Sequence, residues 1–180
     1  MVINVYDLVL VEPSKEYERQ AIEYRQEYID CGEKHINGSC GFIHYSNYDE
    51  WLEKVKMAQN AKTSFVHVPA TTYFSIRVKD NKIIGTIQLR HHLSEELRKH
   101  GGHIGYGIRP SERQKGYATQ QLELVLNKAK ELQIPKVMIT CDKDNIASAK
   151  VTIKNGGVLK WEGNDEKEGT EIQIYWIDIL

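Results

Sequence analysis

Apolar positions along the 180-residue chain switch repeatedly between a two-residue and a 3.6-residue spacing, and each switch marks a change of element. Residues 3–12 form a predicted strand, after which Pro13-Ser14 open a helix to about Asp30. Tyr17, Ala21, Tyr24 and Tyr28 share one face of it, a stripe that reads as core, with a pocket-lining Tyr as the alternative. Gly32 stops this helix, and a Gly-, Ser- and His-containing loop reaches Tyr48. It is long for a connection inside a compact domain, which makes it a candidate functional segment. Ser46-x-x-Asp49 reads as a helix-start box before Trp51, Leu52 and Val55, in a helix ending near Asn60. Residues 71–79 and 82–90 are strand-like and predict a hairpin turning at Asp80-Asn81. Ser94 caps a short helix through Lys99, and Gly101-Gly102 lead into the strand 103–110. From about 116 to 133, Ala118, Leu122, Val125, Leu126, Ala129 and Leu132 lie on one helical face, with Gln121, Glu123, Asn127, Lys128 and Lys130 away from it. Pro135 ends that helix. Residues 136–141 are apolar on both faces, as in a strand covered on both sides. Asn145 opens a helix stopped by Gly156-Gly157, and two strands around an acidic turn at 163–169 close the chain. The whole reads as one mixed α/β domain over residues 1–180, without repeats.

Composition narrows the functional classes. A net charge of −1 gives no basic surface for nucleic acid, and no apolar run approaches the roughly 18 residues of a membrane span. The first apolar segment lacks a basic leader and contains Asp7, so it reads as a strand rather than a signal peptide, and a cytoplasmic location is expected. Three cysteines make no disulfide framework. Cys31, His35, Cys40 and His44 are chemically suited to tetrahedral zinc, but their spacing departs from the usual zinc patterns. A polar loop is the reading adopted, and no metal is expected.

The most informative segment is the turn between the strand at 103–110 and the long helix. It reads Arg113-Gln114-Lys115-Gly116-Tyr117-Ala118, an R-x-x-G-x-A pattern. Small residues at a helix start leave unpaired N–H donors and a positive dipole end open to an anion, and Arg113 and Lys115 add charge. A phosphorylated cofactor is implied.

The order of strand, R-x-x-G-x-A turn, amphipathic helix, strand and Asn145 helix resembles the GNAT superfamily of acyl-CoA-dependent N-acetyltransferases. HIGYGIRPSERQKGYAT with TCDKDNIASAKVTIKNGG is similar to bacterial acetyltransferases of that superfamily. The likeness is most specific over 103–157 and looser over 72–180, while the first 70 residues fit in outline. It implies a GNAT fold, a mostly antiparallel twisted central sheet with helices on both faces. The strand before the turn would splay from the next one, with the pantetheine arm of acetyl-CoA in the gap. Cofactor contact is implied for the main chain of Ile108, for Arg109 and Arg113, and for the N–H groups of Gln114, Lys115, Gly116, Tyr117, Ala118 and Thr119. Asn145 would contact the pantetheine region.

The implied reaction moves an acetyl group from acetyl-CoA to a primary amine of a small molecule or peptide, by direct attack in a ternary complex. An amine with a pKa of about 10.4 needs a proton acceptor, and the oxyanion needs a donor such as the main-chain N–H near Ile108. Many members carry a tyrosine acid seven residues after the Asn, where this chain has Thr152. Tyr106 or Tyr117 is the candidate substitute. His103, His92 and His91 are the candidate bases. Acceptor groups are expected from 31–48, 91–103 and the last two strands, and family members often form homodimers through terminal strands. The alternative from another class is a non-catalytic acyl-CoA sensor, with Thr152 in its favour. A hydrolytic thioesterase is the third.

Overall fold

The computed structural model describes residues 6–64, 67–165 and 169–180. Strand β1 (Leu8–Val11) leads through a single 3-10 turn at Lys15–Tyr17 into α1 (Glu18–Asp30), so the predicted first helix begins as a tighter turn. Residues 3–5 of the predicted strand lie outside the described residues. Helix α2 (Tyr48–Ala58) is capped by Asn47, whose Oδ1 accepts from the N–H groups of Asp49 and Glu50. Ser46 therefore does not cap it: the extended backbone of Asn47 puts that side chain at the helix entrance.

Strands β2 (Ala70–Arg77) and β3 (Lys82–Arg90) form the expected hairpin with a longer turn. The ladder stops at Arg77 opposite Lys82, because Arg77 turns back to Asp80 at 2.6 Å. A bulge between Ser75 and Ile76 places three β3 residues against two of β2 and inverts the alternation of β3. Ile83 then packs under α1, whereas Ile84, Ile87 and Leu89 face the opposite side. That inversion is why the β3 sequence is apolar in both phases.

After α3 (Glu95–Lys99), strand β4 (Ile104–Ile108) pairs with β3. Helix α4 (Tyr117–Glu131), β5 (Lys136–Asp142), α5 (Ile146–Lys154), β6 (Val158–Asn164) and β7 (Glu171–Asp178) complete the chain. Every ladder among the described residues is antiparallel, in the orders β1-β2-β3-β4 and β5-β7-β6. One core joins α1 and α2 to the four-stranded sheet around Tyr24, Trp51 and Phe74. A second buries Leu122, Val125 and Ala129 of α4 against both sheets, so helices cover both faces. Two positions depart from the amphipathic reading of the predicted 116–133 helix. Gln121 is fully buried, its amide donating to Ser75 Oγ at 2.8 Å, and Leu132 is exposed. The acidic turn is only partly described, since 166–168 lie outside the described residues. No helix among the described residues is long and apolar enough to cross a membrane.

Candidate active site

Strands β4 and β5 are the facing edges of the two sheets, and they meet at one end only. Gly102 forms a single bridge with Ile139, and the His103 N–H donates to the Met138 carbonyl at 2.8 Å. The Met138 N–H returns a bond to His103 Nδ1 at 2.9 Å. Beyond this clasp the edges part around a cavity of about 1170 Å³. Gly102 holds φ at +64°, and a Cβ there would stand 2.5 Å from the Met138 carbonyl oxygen.

The β3–β4 register fixes which amides face the gap. Arg90 N–H donates to the His103 carbonyl and Arg109 N–H to the Ile84 carbonyl, so the odd positions of this segment turn toward β3. The amides of Ile104, Tyr106 and Ile108 therefore turn toward the open edge. The Ile108 carbonyl is occupied there by the Tyr28 hydroxyl at 2.7 Å and Arg113 Nε at 3.0 Å. Tyr28, from the aromatic stripe of α1, thus supports the edge strand from beneath. The 31–48 loop closes over the same strand. A Cβ on Gly38 would overlap the Gly105 carbonyl, and Trp51 anchors the loop by donating to the Ser39 carbonyl at 2.7 Å.

At the far end of β4 the chain makes a 3-10 turn at Pro110–Glu112 and reaches Gly116, the N-cap of α4 with φ +83°. The first bond inside α4 runs from Gln120 N–H to the Gly116 carbonyl, and the amides of Tyr117, Ala118 and Thr119 have no acceptor among the described residues. A Cβ on Gly116 would meet nothing within 4 Å. Gln114, Gly116, Tyr117, Ala118 and Thr119 all line the cavity. A helix start with free N–H donors facing a cavity is an arrangement that favours an anion. Beneath it Glu112, 5% exposed, pairs at 2.9 Å with each of Arg77, Lys82 and Lys115. Burial pushes its carboxyl up, but the three cations outweigh that and hold it at about 2.

The other predicted residues are distributed unevenly. Arg113 lines the cavity and is held by Glu33 at 2.7 and 3.0 Å, which raises its pKa further. Lys115 is committed to Glu112 and the Ser111 carbonyl. Arg109 is buried on Glu27 at 2.6 Å and on the Ile83 carbonyl, away from the cleft lining. Asn145 lines the cavity and also caps α5, its Oδ1 accepting from Ser148 N–H at 3.1 Å. Tyr106 reaches across the splay, its hydroxyl 2.9 Å from Ser148 Oγ. Burial raises its pKa, with the Ser148 and Thr152 hydroxyls beside it pulling the other way. Thr152 itself is fully buried.

The histidines separate by position. His103 is 5% exposed, and burial drives its pKa down to about 4. Its Nδ1 accepts from Met138, so Nε2 carries the proton and no lone pair remains for a substrate. His92 is exposed and His91 bonds Thr71 Oγ1 at 2.9 Å, both outside the cleft lining. Three lining residues, His100, Asp165 and Arg90, escaped the sequence reading. His100 stands 2.7 Å from Asp165 Oδ2, and Arg90 donates to the Gly101 and Gly102 carbonyls. No signal joins His100 to Asp165 before the two sheets come together. In the zinc-like set, the His35 and His44 rings lie 6.3 Å apart, and no group of three or more potential ligands forms among the described residues.

Comparison with known proteins agrees with this geometry. The family model described as "Acetyltransferase (GNAT) domain" matches residues 43–158, more than half of the chain. No curated protein matches the sequence. The fold is similar to that of an acetyltransferase from Salmonella typhimurium that modifies the N-terminal serine of a 50S ribosomal subunit protein. The two share 18% identity at a TM-score of 0.68, over 97% of this chain and 96% of that one. It is similar also to a microcin self-immunity acetyltransferase in complex with acetyl-CoA and AMP, at 15% identity, TM-score 0.67 and coverages of 96% and 93%. A spermidine N-acetyltransferase chimera from Vibrio cholerae and a second source aligns at 14% identity and TM-score 0.64, with 96% of each chain covered. The matched residues include the open edge strand β4 and the helix start at Gly116, and the chain belongs to the GNAT family of acetyltransferases.

Proposed function

We propose that the 180 residues act as one catalytic unit that transfers the acetyl group of acetyl-CoA to a primary amine of a small molecule or peptide. The observation that carries this reading is the pairing of a cradle of free amides, those of Tyr117, Ala118 and Thr119, with the open edge of β4. The diphosphate sits on the N–H groups of 116–119, and the pantetheine arm runs along the Tyr106 and Ile108 amides between β4 and β5. Asn145 offers its amide nitrogen to that arm, because its oxygen is held by Ser148. The amine nitrogen attacks the thioester carbonyl carbon, and an outward β4 N–H receives the oxyanion. As the C–S bond breaks, the Tyr106 hydroxyl protonates the departing sulfur.

Tyr106 replaces from β4 the tyrosine that many members place on the Asn helix. Its hydroxyl stands by Ser148, one turn before Thr152 on the same helix. His103 and His92 are left out of the chemistry, the first for want of a lone pair and the second for want of access. Arg109 and Lys115 act as supports of β4 and the cradle. The acceptor enters past Asn37 and Gly38, His100 and Gly101, and Thr170 and Ile172, which line the cavity from the three expected regions. The open edge of β6, with Val158, Leu159 and Trp161 exposed, is assigned to pairing with a second copy.

The test is titration calorimetry with acetyl-CoA, followed by a free-thiol assay across an amine panel. Binding with amine-dependent thiol release is expected. Binding without release makes the protein a sensor, and release without amine makes it a hydrolase.

A further inference from the structure

One polar cluster in the cleft has no role in the scheme above, and it is the cluster the scheme lacks. His100 ends α3 with its backbone N–H bonded to the Glu96 carbonyl at 2.8 Å. Asp165 follows β6, and its N–H donates to the Thr170 carbonyl at 2.8 Å. These two fixed points bring His100 Nδ1 within 2.7 Å of Asp165 Oδ2. The carboxylate is 4% exposed and the imidazole 26% exposed, and both line the cavity. His100 precedes β4, whereas the cradle follows it, so the pair stands at the end of the strand opposite the diphosphate.

The arrangement has a direct chemical consequence. A carboxylate accepting from Nδ1–H fixes the tautomer, leaves the Nε2 lone pair available and faces the positive ring that protonation creates. Among the described histidines of the cleft, His100 meets the conditions that His103 fails. Arg90 from β3 and Asp142 from the end of β5 are charged groups that line the same cavity as Asp165. We infer that His100 is the general base for the acceptor amine and that Asp165 is its positioning residue. The inference rests on the acetyltransferase reading.

The acceptor ammonium gives one proton to His100 Nε2, and the freed lone pair forms the N–C bond. The C–S bond breaks, Tyr106 supplies the sulfur's proton, and the second amine proton restores the Tyr106 hydroxyl. His100 releases its proton to water.

The test compares wild type, His100→Gln and Asp165→Asn in thiol release with the best amine, together with acetyl-CoA titration of each. His100→Gln should lower kcat by about 10²–10⁴-fold with unchanged acetyl-CoA affinity, and Asp165→Asn by about tenfold. The deficit should shrink between pH 7 and 9.5, because an amine with a pKa of about 10.4 deprotonates there without help. A merely structural role predicts a deficit independent of pH. A pH-independent deficit, a normal kcat in His100→Gln, or lost acetyl-CoA binding in both variants overturns the assignment while leaving the transferase reading intact. A wild type that releases no thiol with any amine overturns both.

Discussion

At the scale of single residues, chemistry depends on what each polar atom has already been given. Tyr106 and His103 sit three positions apart on one strand segment, yet they differ in what they have left to offer. Tyr106 presents its hydroxyl to Ser148 across the splay, whereas His103 spends Nδ1 on Met138. Tyr106→Phe should therefore lower kcat about 10²-fold with acetyl-CoA affinity nearly unchanged, as thiol release and calorimetry can measure. The deficit should shrink above the thiol pKa of about 8.5, where the leaving group needs no proton. His103→Ala removes the acceptor of a buried N–H and leaves a cavity, a loss of about 2–4 kcal/mol in denaturant unfolding. Its pH dependence has a definite sign. The ring is neutral in the folded chain down to about pH 4 but takes a proton near 6.5 when unfolded. The native state of wild type should thus lose stability as pH falls from 6.5 to 4, and His103→Asn should remove that slope.

At the scale of elements, the cradle is a product of the loop that delivers α4. Gly116 must hold φ +83° at the helix entrance, so Gly116→Val adds left-handed strain of about 1–2 kcal/mol and a branched side chain at the proposed phosphate position. The acetyl-CoA Kd should rise at least tenfold by calorimetry, and an unchanged Kd would place the diphosphate elsewhere. Glu112 is the anchor of the loop. Its depressed carboxyl contributes stability that is complete above about pH 4.5 and lost as pH falls toward 2. Glu112→Gln should lower neutral-pH stability by an amount at the lower end of the about 3–5 kcal/mol of a broken buried pair, since Lys82 and Lys115 keep partial solvent. It should also flatten acid unfolding in that window, followed by circular dichroism. These elements were largely legible in the chain. The R-x-x-G-x-A turn and the Asn145 cap act through neighbours within a few residues, and so their spacing shows in sequence. The Asp80-Asn81 turn is where the sequence puts it but longer, because Arg77 turns back to Asp80, and the cap falls on Asn47 rather than Ser46 because backbone geometry chose between neighbouring polar residues.

At the scale of the whole molecule, the site is the space left where two sheets touch at one point. Gly102→Ala should strain that point, because its Cβ meets the Met138 carbonyl at 2.5 Å; a lower Tm and faster amide exchange along β4 are the expected readings. The sequence by itself determined the order of elements, the glycine-led start of the long helix and the family likeness. All of these depend on residue type at short spacing. Tertiary structure alone decided that Arg109 and His103 turn away from the cleft, that the β3 bulge sends Ile87 and Leu89 to the α4 face, and that His100 meets Asp165 65 residues later. Contacts between distant segments follow from register and sheet packing. A strand's two-residue period says that neighbours face opposite ways, but only its paired partner says which way faces the substrate.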